Sequence, residues 1–234
     1  MHITIRPATP DDIPFLAQIL DLAARSHVAT GLYDYLFAQP PDSIRTFCAG
    51  LLGAETRSWA HYSSYLVAAW GGAPAAALAG YDVAERGLPV LVAALKETMA
   101  KQGWTADAQA RYWERMAVLE PCFVPDIPGA WVVESVATLP AYRQRGLIAA
   151  LLTQVLADGR ARGHSLAQIS VLIGNTPAQQ AYERVGFRIT TERRDPAFAA
   201  ALGTPGFVQM TCPLTAGVPG AHDSALLGGA AARE

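Results

Sequence analysis

The chain has 234 residues, of which 51% are apolar and 16% charged, a composition that excludes wholesale disorder and leaves room for one large domain with a real core. Eighteen basic and twenty acidic side chains give a formal net charge of -2. No overall field therefore draws the protein to nucleic acid or to an anionic membrane, and any phosphate it binds must be caught locally.

Ile3 and Ile5 alternate with polar neighbours as in a strand, and the opening residues lack the basic-then-apolar order of a signal peptide. Thr9-Pro10-Asp11-Asp12 then caps a helix carrying Ile13, Leu16, Ile19 and Leu20 at helical spacing. Pro41 to Leu52 repeats the pattern with Ile44, Phe47, Cys48, Leu51 and Leu52 on one stripe. The uncharged stretch Leu66 to Tyr81 is broken by Gly71, Gly72 and Pro74. It reads as a hairpin of strands Tyr65 to Trp70 and Ala75 to Val83, not as a membrane span. Residues 84–128 form an insertion with two helical patterns, Leu88 to Gln102 and Ala106 to Leu119, and a loop through Pro121, Pro125 and Pro128.

The strand Trp131 to Thr138 follows, then a loop from Leu139 to Arg145, a helix to Arg162, a strand from Ser165 to Ile173 and a helix from Pro177 to Val185. Strands Phe187 to Arg193 and Phe207 to Pro213 complete the pattern. From Thr215 the sequence is Ala/Gly-rich, which predicts a flexible tail over 215–234. The order implies a single domain over 1–214 of the α/β (α+β) class, with a mostly antiparallel mixed sheet and one parallel βαβ unit. Cys48, Cys122 and Cys212 have neither disulfide-framework nor zinc spacing and fit a reducing cytoplasm. Only Lys96 and Lys101 among the basic residues are not arginine, a bias that reads as GC-rich bacterial coding.

The informative segment runs from Glu134 through Arg143-Gln144-Arg145-Gly146 into a helix with Leu147, Leu151, Leu152 and Val155 on one stripe. A helix start flanked by guanidinium groups presents free N-H groups and a positive dipole end, which suits a phosphate or pyrophosphate. The alternative is an ordinary capped helix with exposed arginines. Neither a P-loop nor a dinucleotide fingerprint is present.

Here the sequence resembles the GNAT superfamily of acyl-CoA-dependent N-acyltransferases, whose first motif, Arg/Gln-x-x-Gly-x-Gly/Ala, is met by Tyr142-Arg143-Gln144-Arg145-Gly146-Leu147. A second family motif is met at Asn175, Ala178, Tyr182, Gly186 and Phe187, and Ile5 to Asp12 resembles the family's opening. The resemblance implies a GNAT fold of about seven strands with acetyl-CoA as co-substrate and no metal. It implies that main-chain groups of Val136 and Thr138 pair with the pantetheine arm and that Ala137 N-H serves as oxyanion donor. Main-chain amides of Gln144, Arg145, Gly146, Leu147, Ile148 and Ala149 would wrap the pyrophosphate, with Arg143 and Arg145 adding charge. Asn175, in the motif with Ala178, would bond the pantetheine chain, and Arg184 would reach the nucleotide phosphates. Ile148 departs from the family's Gly or Ala. Either its side chain turns into the core and CoA docks, or the site is degraded.

Freeing the lone pair of a lysine-type amine at pH 7 costs about 4.6 kcal/mol, so a base is needed. Strict alternation would place Glu134 on the strand face of Val136 and Thr138, and the resemblance implies that it acts as general base; a buried Glu paired with an arginine is the alternative. Tyr182 is implied as the acid that serves the departing thiolate, with a core tyrosine as its alternative. No cysteine falls in the motif strand, which argues against a covalent acetyl-cysteine. The implied function is an N-acetyltransferase acting on a primary amine of a small molecule or peptide by direct attack in a ternary complex. The alternative is a catalytically silent CoA-binding or protein-interaction module.

The acceptor is not legible; its specificity is expected in 26–41 and 84–128, the latter packing as two helices over the acceptor cleft or at a homodimer contact. His27, Tyr33 and Tyr35, and Trp59, His61, Tyr62 and Tyr65, are candidates for the acceptor side or for the core. His164 is expected at the surface, and Asp158 and Arg162 as a helix-surface ion pair.

Overall fold

The computed structural model describes residues 2–214; the tail expected over 215–234 lies outside the described residues. Seven strands form one sheet in the order β1-β2-β3-β4-β5-β7-β6. These are β1 (Ile3–Pro7), β2 (Tyr65–Trp70), β3 (Ala73–Asp82), β4 (Trp131–Thr138), β5 (Leu166–Leu172), β6 (Arg188–Arg194) and β7 (Gly206–Pro213). Every neighbouring pair is antiparallel except β4 with β5, so the mixed, mostly antiparallel α/β architecture expected from the sequence is what forms. The uncharged stretch is indeed the β2-β3 hairpin, turning on Gly71 and Gly72 at φ 60° and 89°. Among the described residues no helix is long and apolar enough to cross a membrane.

Before β4 come α1 (Ile13–Arg25), α2 (Leu32–Phe37), α3 (Pro41–Leu52), α4 (Val83–Arg86), α5 (Leu88–Lys101) and α6 (Ala106–Leu119); α7 (Leu147–Ala161), α8 (Thr176–Arg184) and α9 (Pro196–Leu202) follow it. Helices α2, α4 and α9 were not anticipated, since four to seven residues are too few to show a helical period. The sheet separates two apolar cores. Helices α1, α2, α3, α5, α6 and α9 cover one face, meeting Val67, Ala77, Ala79 and Leu172. Helices α7 and α8 cover the other, where Leu147, Leu151, Leu152 and Val155 bury against Leu78, Val133 and Ile169.

At the start of the chain Arg6 grips Asp12 through both guanidinium nitrogens, at 2.7 and 2.8 Å, and Thr9 N-H donates to the same carboxylate at 2.8 Å. Chiefly because of the Arg6 bond, the Asp12 carboxyl is held down at about 2, and the turn from β1 into α1 is closed. Two smaller expectations fail. His164 is tucked in, its Nδ1 3.0 Å from Gly129 O, its Nε2 3.7 Å from Asp82 and its ring against Trp131. Arg162 lies over the same Trp131 ring while Asp158 accepts from Gln154, so the expected helix-surface pair does not form; a large aromatic face offers the guanidinium more than a solvated carboxylate does.

The decisive irregularity is in β4. Ala79 pairs with Glu134 but Ala77 pairs with Ala137, so one residue of β3, Leu78, faces two of β4, Ser135 and Val136. The extra residue makes a bulge around Ser135, whose φ is 53°. Alternation is thereby reversed: Glu134 shares its face with Ala137, toward α1, and not with Val136 and Thr138 as strict period-two counting requires. From Glu134 onward β4 also leaves its parallel neighbour, since only Trp131 to Val133 pair with β5.

Gly80 lets α7 seat closely on this frame, because a Cβ there would lie 2.4 Å from Val155 and 3.0 Å from the Trp131 ring. Gly80→Ala is therefore expected to destabilise the fold by about 1–3 kcal/mol through overpacking. A lowered urea midpoint at unchanged slope is the measurement that checks it.

Candidate active site

Where β4 and β5 part, a cavity of about 1500 Å³ opens between the two cores, walled by Val133 to Thr138 on one side and Ile169 to Leu172 on the other. One end reaches Arg143, Gln144, Ile148, the α8 cap Asn175 and the α8 residues Ala178, Tyr182 and Arg184. The other end lies under α1, α2, α3, α5 and α6. The gap thus joins the faces of the sheet, bringing Glu134 and Tyr182, which belong to opposite faces, onto one cavity.

The loop before α7 leaves main-chain amides free at the helix start. Gln144 and Gly146 both take left-handed backbone, φ 61° and 76°, a conformation that glycine adopts without penalty. Helix α7 has no side-chain cap, and its first ladder bond is Ala150 N-H to Gly146 O at 3.1 Å, so the N-H groups of Leu147 to Ala149 precede the ladder. Of the residues expected here, Arg143, Gln144 and Ile148 line the cavity. Arg145 stands 5.0 Å over the Trp70 ring and donates to Ala141 O at 3.3 Å, and the Leu147 side chain is buried in the core. Ile148 is half-buried against that core while forming part of the cavity wall.

Val136, Ala137 and Thr138 all border the cavity. Past Val133 the edge of β4 that would face β5 carries no ladder, which leaves main-chain groups available to an extended ligand. Asn175 does more than expected. Its Oδ1 accepts Ala178 N-H at 3.3 Å, capping α8, and its Nδ2 donates to Ser26 Oγ at 2.7 Å, tying the end of α1 to the site.

Glu134 faces the cavity yet is deeply enclosed, and burial first, then the negative charge of Asp126, pushes its carboxyl up to about 7. Among the described residues no arginine forms an ion pair with Glu134, so the alternative of a Glu paired with an arginine finds no partner there. Tyr182 is 5% exposed, and burial together with Glu134 raises its phenol well above 10, keeping it a donor. Cys48, which was set aside because it lies outside the motif strand, also borders the cavity; burial lifts its thiol to about 12, so it carries no thiolate at neutral pH.

Among the acceptor-side candidates His27, Tyr33 and Trp59 reach the cavity. Tyr65 is core, and His61 is buried against Tyr62 with its Nδ1 2.8 Å from Ser63. The residue missed by sequence reasoning is Asp126. Its Oδ1 accepts from Gln168 Nε2 at 3.0 Å, while Gln168 Oε1 accepts Ile127 N-H at 2.8 Å and Gln209 Nε2 donates to Pro125 O at 3.0 Å. Its only sequence signal was an acid inside a proline-bounded loop.

A sequence profile described as the Acetyltransferase (GNAT) family matches residues 30–187. The chain belongs to the GNAT acetyltransferase family. The fold of this GNAT chain is shared with an N-acetyltransferase from Staphylococcus aureus Mu50, at TM-score 0.64 and 17% identity over 89% of this chain and 99% of that one. Another acetyltransferase structure is similar at TM-score 0.62 and 18% identity, over 88% and 97% of the two chains. The ribosomal-protein-S18-alanine N-acetyltransferase from Escherichia coli is similar at TM-score 0.50 and 16% identity, over 93% and 98%. No curated protein matches the sequence.

A carboxyl raised from its ordinary 4.5 to about 7 favours folding fully below about pH 4.5 and loses that contribution as pH rises through 7, a loss of about 3 kcal/mol. Glu134→Gln has no such titration. The variant is expected to match the parent in thermal stability near pH 4.5 and to exceed it by several degrees at pH 8, as calorimetric scans at the two pH values would show.

Proposed function

We propose that the protein transfers an acetyl group from acetyl-CoA to a primary amine in a ternary complex, with Glu134 as general base and Tyr182 serving the departing sulfur. The observation that carries this reading is one cavity holding a carboxyl raised to about 7, a buried phenol and an uncapped helix start. The residues fit such a substrate: the amides ahead of the α7 ladder suit a diphosphate, Arg143 and Arg184 supply positive charge at that end, and the unpaired edge of β4 suits an amide-bearing arm. Ile148 keeps its N-H while its side chain packs on the core. Acetyl-CoA supplies an acyl group already activated as a thioester.

The rest is proton management. Moving a proton from an ammonium of pKa about 10.4 to a carboxylate at 4.5 costs about 8 kcal/mol, but to one near 7 only about 4.6 kcal/mol. Burial of Glu134 therefore makes the base competent at neutral pH while leaving a substantial ionised fraction. Tyr182, its acidity suppressed, holds its proton and donates a hydrogen bond where negative charge collects on sulfur. The three buried free cysteines accord with a reducing, cytoplasmic setting.

Thiol release with acetyl-CoA and a panel of amines, with calorimetric titration of CoA, tests the reading. Log kcat/KM is expected to climb with pH up to about 7, where Glu134 ionises, and Glu134→Gln to lower kcat by about 10²–10⁴-fold and flatten that limb. Tyr182→Phe is expected to lower kcat by about tenfold or more with CoA affinity retained. Well-folded protein that gives no heat with CoA, or variants that turn over like the parent, would overturn it; tight CoA binding without turnover of any amine favours the silent module. Ile148→Ala is expected to leave CoA affinity within about threefold, because the backbone amide is unchanged.

A further inference from the structure

Resting on the acetyl-transfer reading, we propose that the acceptor is a primary amine borne on a bulky aryl or alkyl body, and that Asp126 is the residue that receives its ammonium group. Three observations carry this. The first is size: about 1500 Å³ exceeds the roughly 300–1000 Å³ that a single drug-sized ligand fills, so an extended thioester arm leaves room for a large second substrate.

The second is the wall. On the α1 side the cavity is bordered by Leu36, Phe37, Leu51, Leu91, Leu95 and Met116, with Tyr112 and Trp113 beside them. Such a surface gains from burying hydrocarbon and loses from burying hydroxyls or peptide groups that find no partner. Ser26, His27 and Tyr33 are among the few polar side chains on that side, and an amino sugar or a peptide N-terminus would bring more such groups than these few can pair. The acids on the wall are Glu120, Asp126 and Glu134, and Glu120 is exposed, so the interior offers two carboxylates, too few for a polyamine.

The third is construction. Loop residues 125–127 are pinned by Gln168 and Gln209, 2% and 4% exposed on neighbouring strands β5 and β7. Gln168 holds one oxygen of Asp126 by a hydrogen bond, and the other accepts no hydrogen bond from the described residues. Gln168 pairs in register with Val132, two residues before Glu134 on the same face, so the pinned carboxylate lies on the face of the general base. The division of labour follows: burial pushes the Asp126 carboxyl up while the Gln168 bond draws it down, and an incoming ammonium favours its ionised form and is held by it. Glu134 takes one of the ammonium protons and leaves a neutral amine with its lone pair free.

With acetyl-CoA saturating, kcat/KM would be measured for 2-phenylethylamine, tryptamine and octylamine against spermidine, an aminoglycoside and an alanine-terminated peptide. The apolar amines are expected to lead by about 100-fold. Asp126→Asn is expected to raise their KM about tenfold or more and, because the negative charge beside Glu134 is removed, to move the rising limb of the kcat profile to lower pH. Inhibition by the neutral isostere 2-phenylethanol should be unchanged, which a merely structural role for Asp126 would not allow. Preference for the polar acceptors, equal weakening of amine and alcohol, or octanoyl-CoA outpacing acetyl-CoA would overturn the proposal; the last would mean that the apolar space takes the acyl chain. The wild-type panel decides the acceptor class even if the variant fails to fold. A protein that binds CoA and acetylates a polar amine would sink this inference alone, whereas one that neither binds CoA nor turns over any amine would sink the acetyl-transfer reading beneath it.

Discussion

The parting of β4 from β5 after Val133 is the constraint on which the rest of the molecule depends. Two parallel strands held together by three residue pairs share a sheet with antiparallel neighbours, and the bulge at Ser135 bends one away. A gap through a sheet would ordinarily expose unpaired peptide groups in an apolar interior, at a cost of the order of kilocalories for each. A ligand that brings its own amides relieves that cost. The same gap therefore both demands an extended occupant and gives the two faces of the sheet a common chamber.

Around the gap the helices carry separate tasks. Helix α7 offers its uncapped start to one end while Gly80 lets its body sit against β3 and Trp131, so the amides proposed to receive a diphosphate are fixed to rigid structure. Helix α8 supplies Tyr182, and its capping residue Asn175 reaches Ser26 at the end of α1. Helices α5 and α6 from segment 84–128 pack with α3 and α2 and close the opposite end. The two ends of the cavity, proposed for the thioester and for the acceptor, are thus linked by one asparagine and one strand.

Much of this was legible in the sequence, for identifiable reasons. The boundaries of α3, β2, β4 and α6 follow from apolar stripes framed by proline and glycine, signals that are local. Tyr142 to Leu147 and Asn175 to Phe187 carry the family's spacing because backbone geometry at a helix start tolerates few residue types. The bulge was not legible: Ser135 is an ordinary strand residue, and its φ of 53° arises from how β3 and β4 pair. One inserted residue was enough to move Glu134 to the other face from Val136. Asp126 was hidden for a different reason, since its placement depends on Gln168 and Gln209, about 40 and 80 residues later, whose side chains are buried only because the strands bring them under the loop.

Burial links the chemistry to the choice of substrate. The buried Glu134, raised to about 7, borders the same cavity as the apolar side chains that would receive the body of the acceptor. Lining the cavity with polar groups to suit a sugar or a peptide would solvate the carboxylate and lower it toward its ordinary value. The proton transfer at neutral pH would then become costlier by about 1.4 kcal/mol for each unit lost. A chamber tuned to hold a neutral-pH carboxyl base is for that reason tuned against strongly hydrated acceptors. Asp126, held by a buried glutamine, would let a single positive charge enter such a chamber without the field there having to come from water.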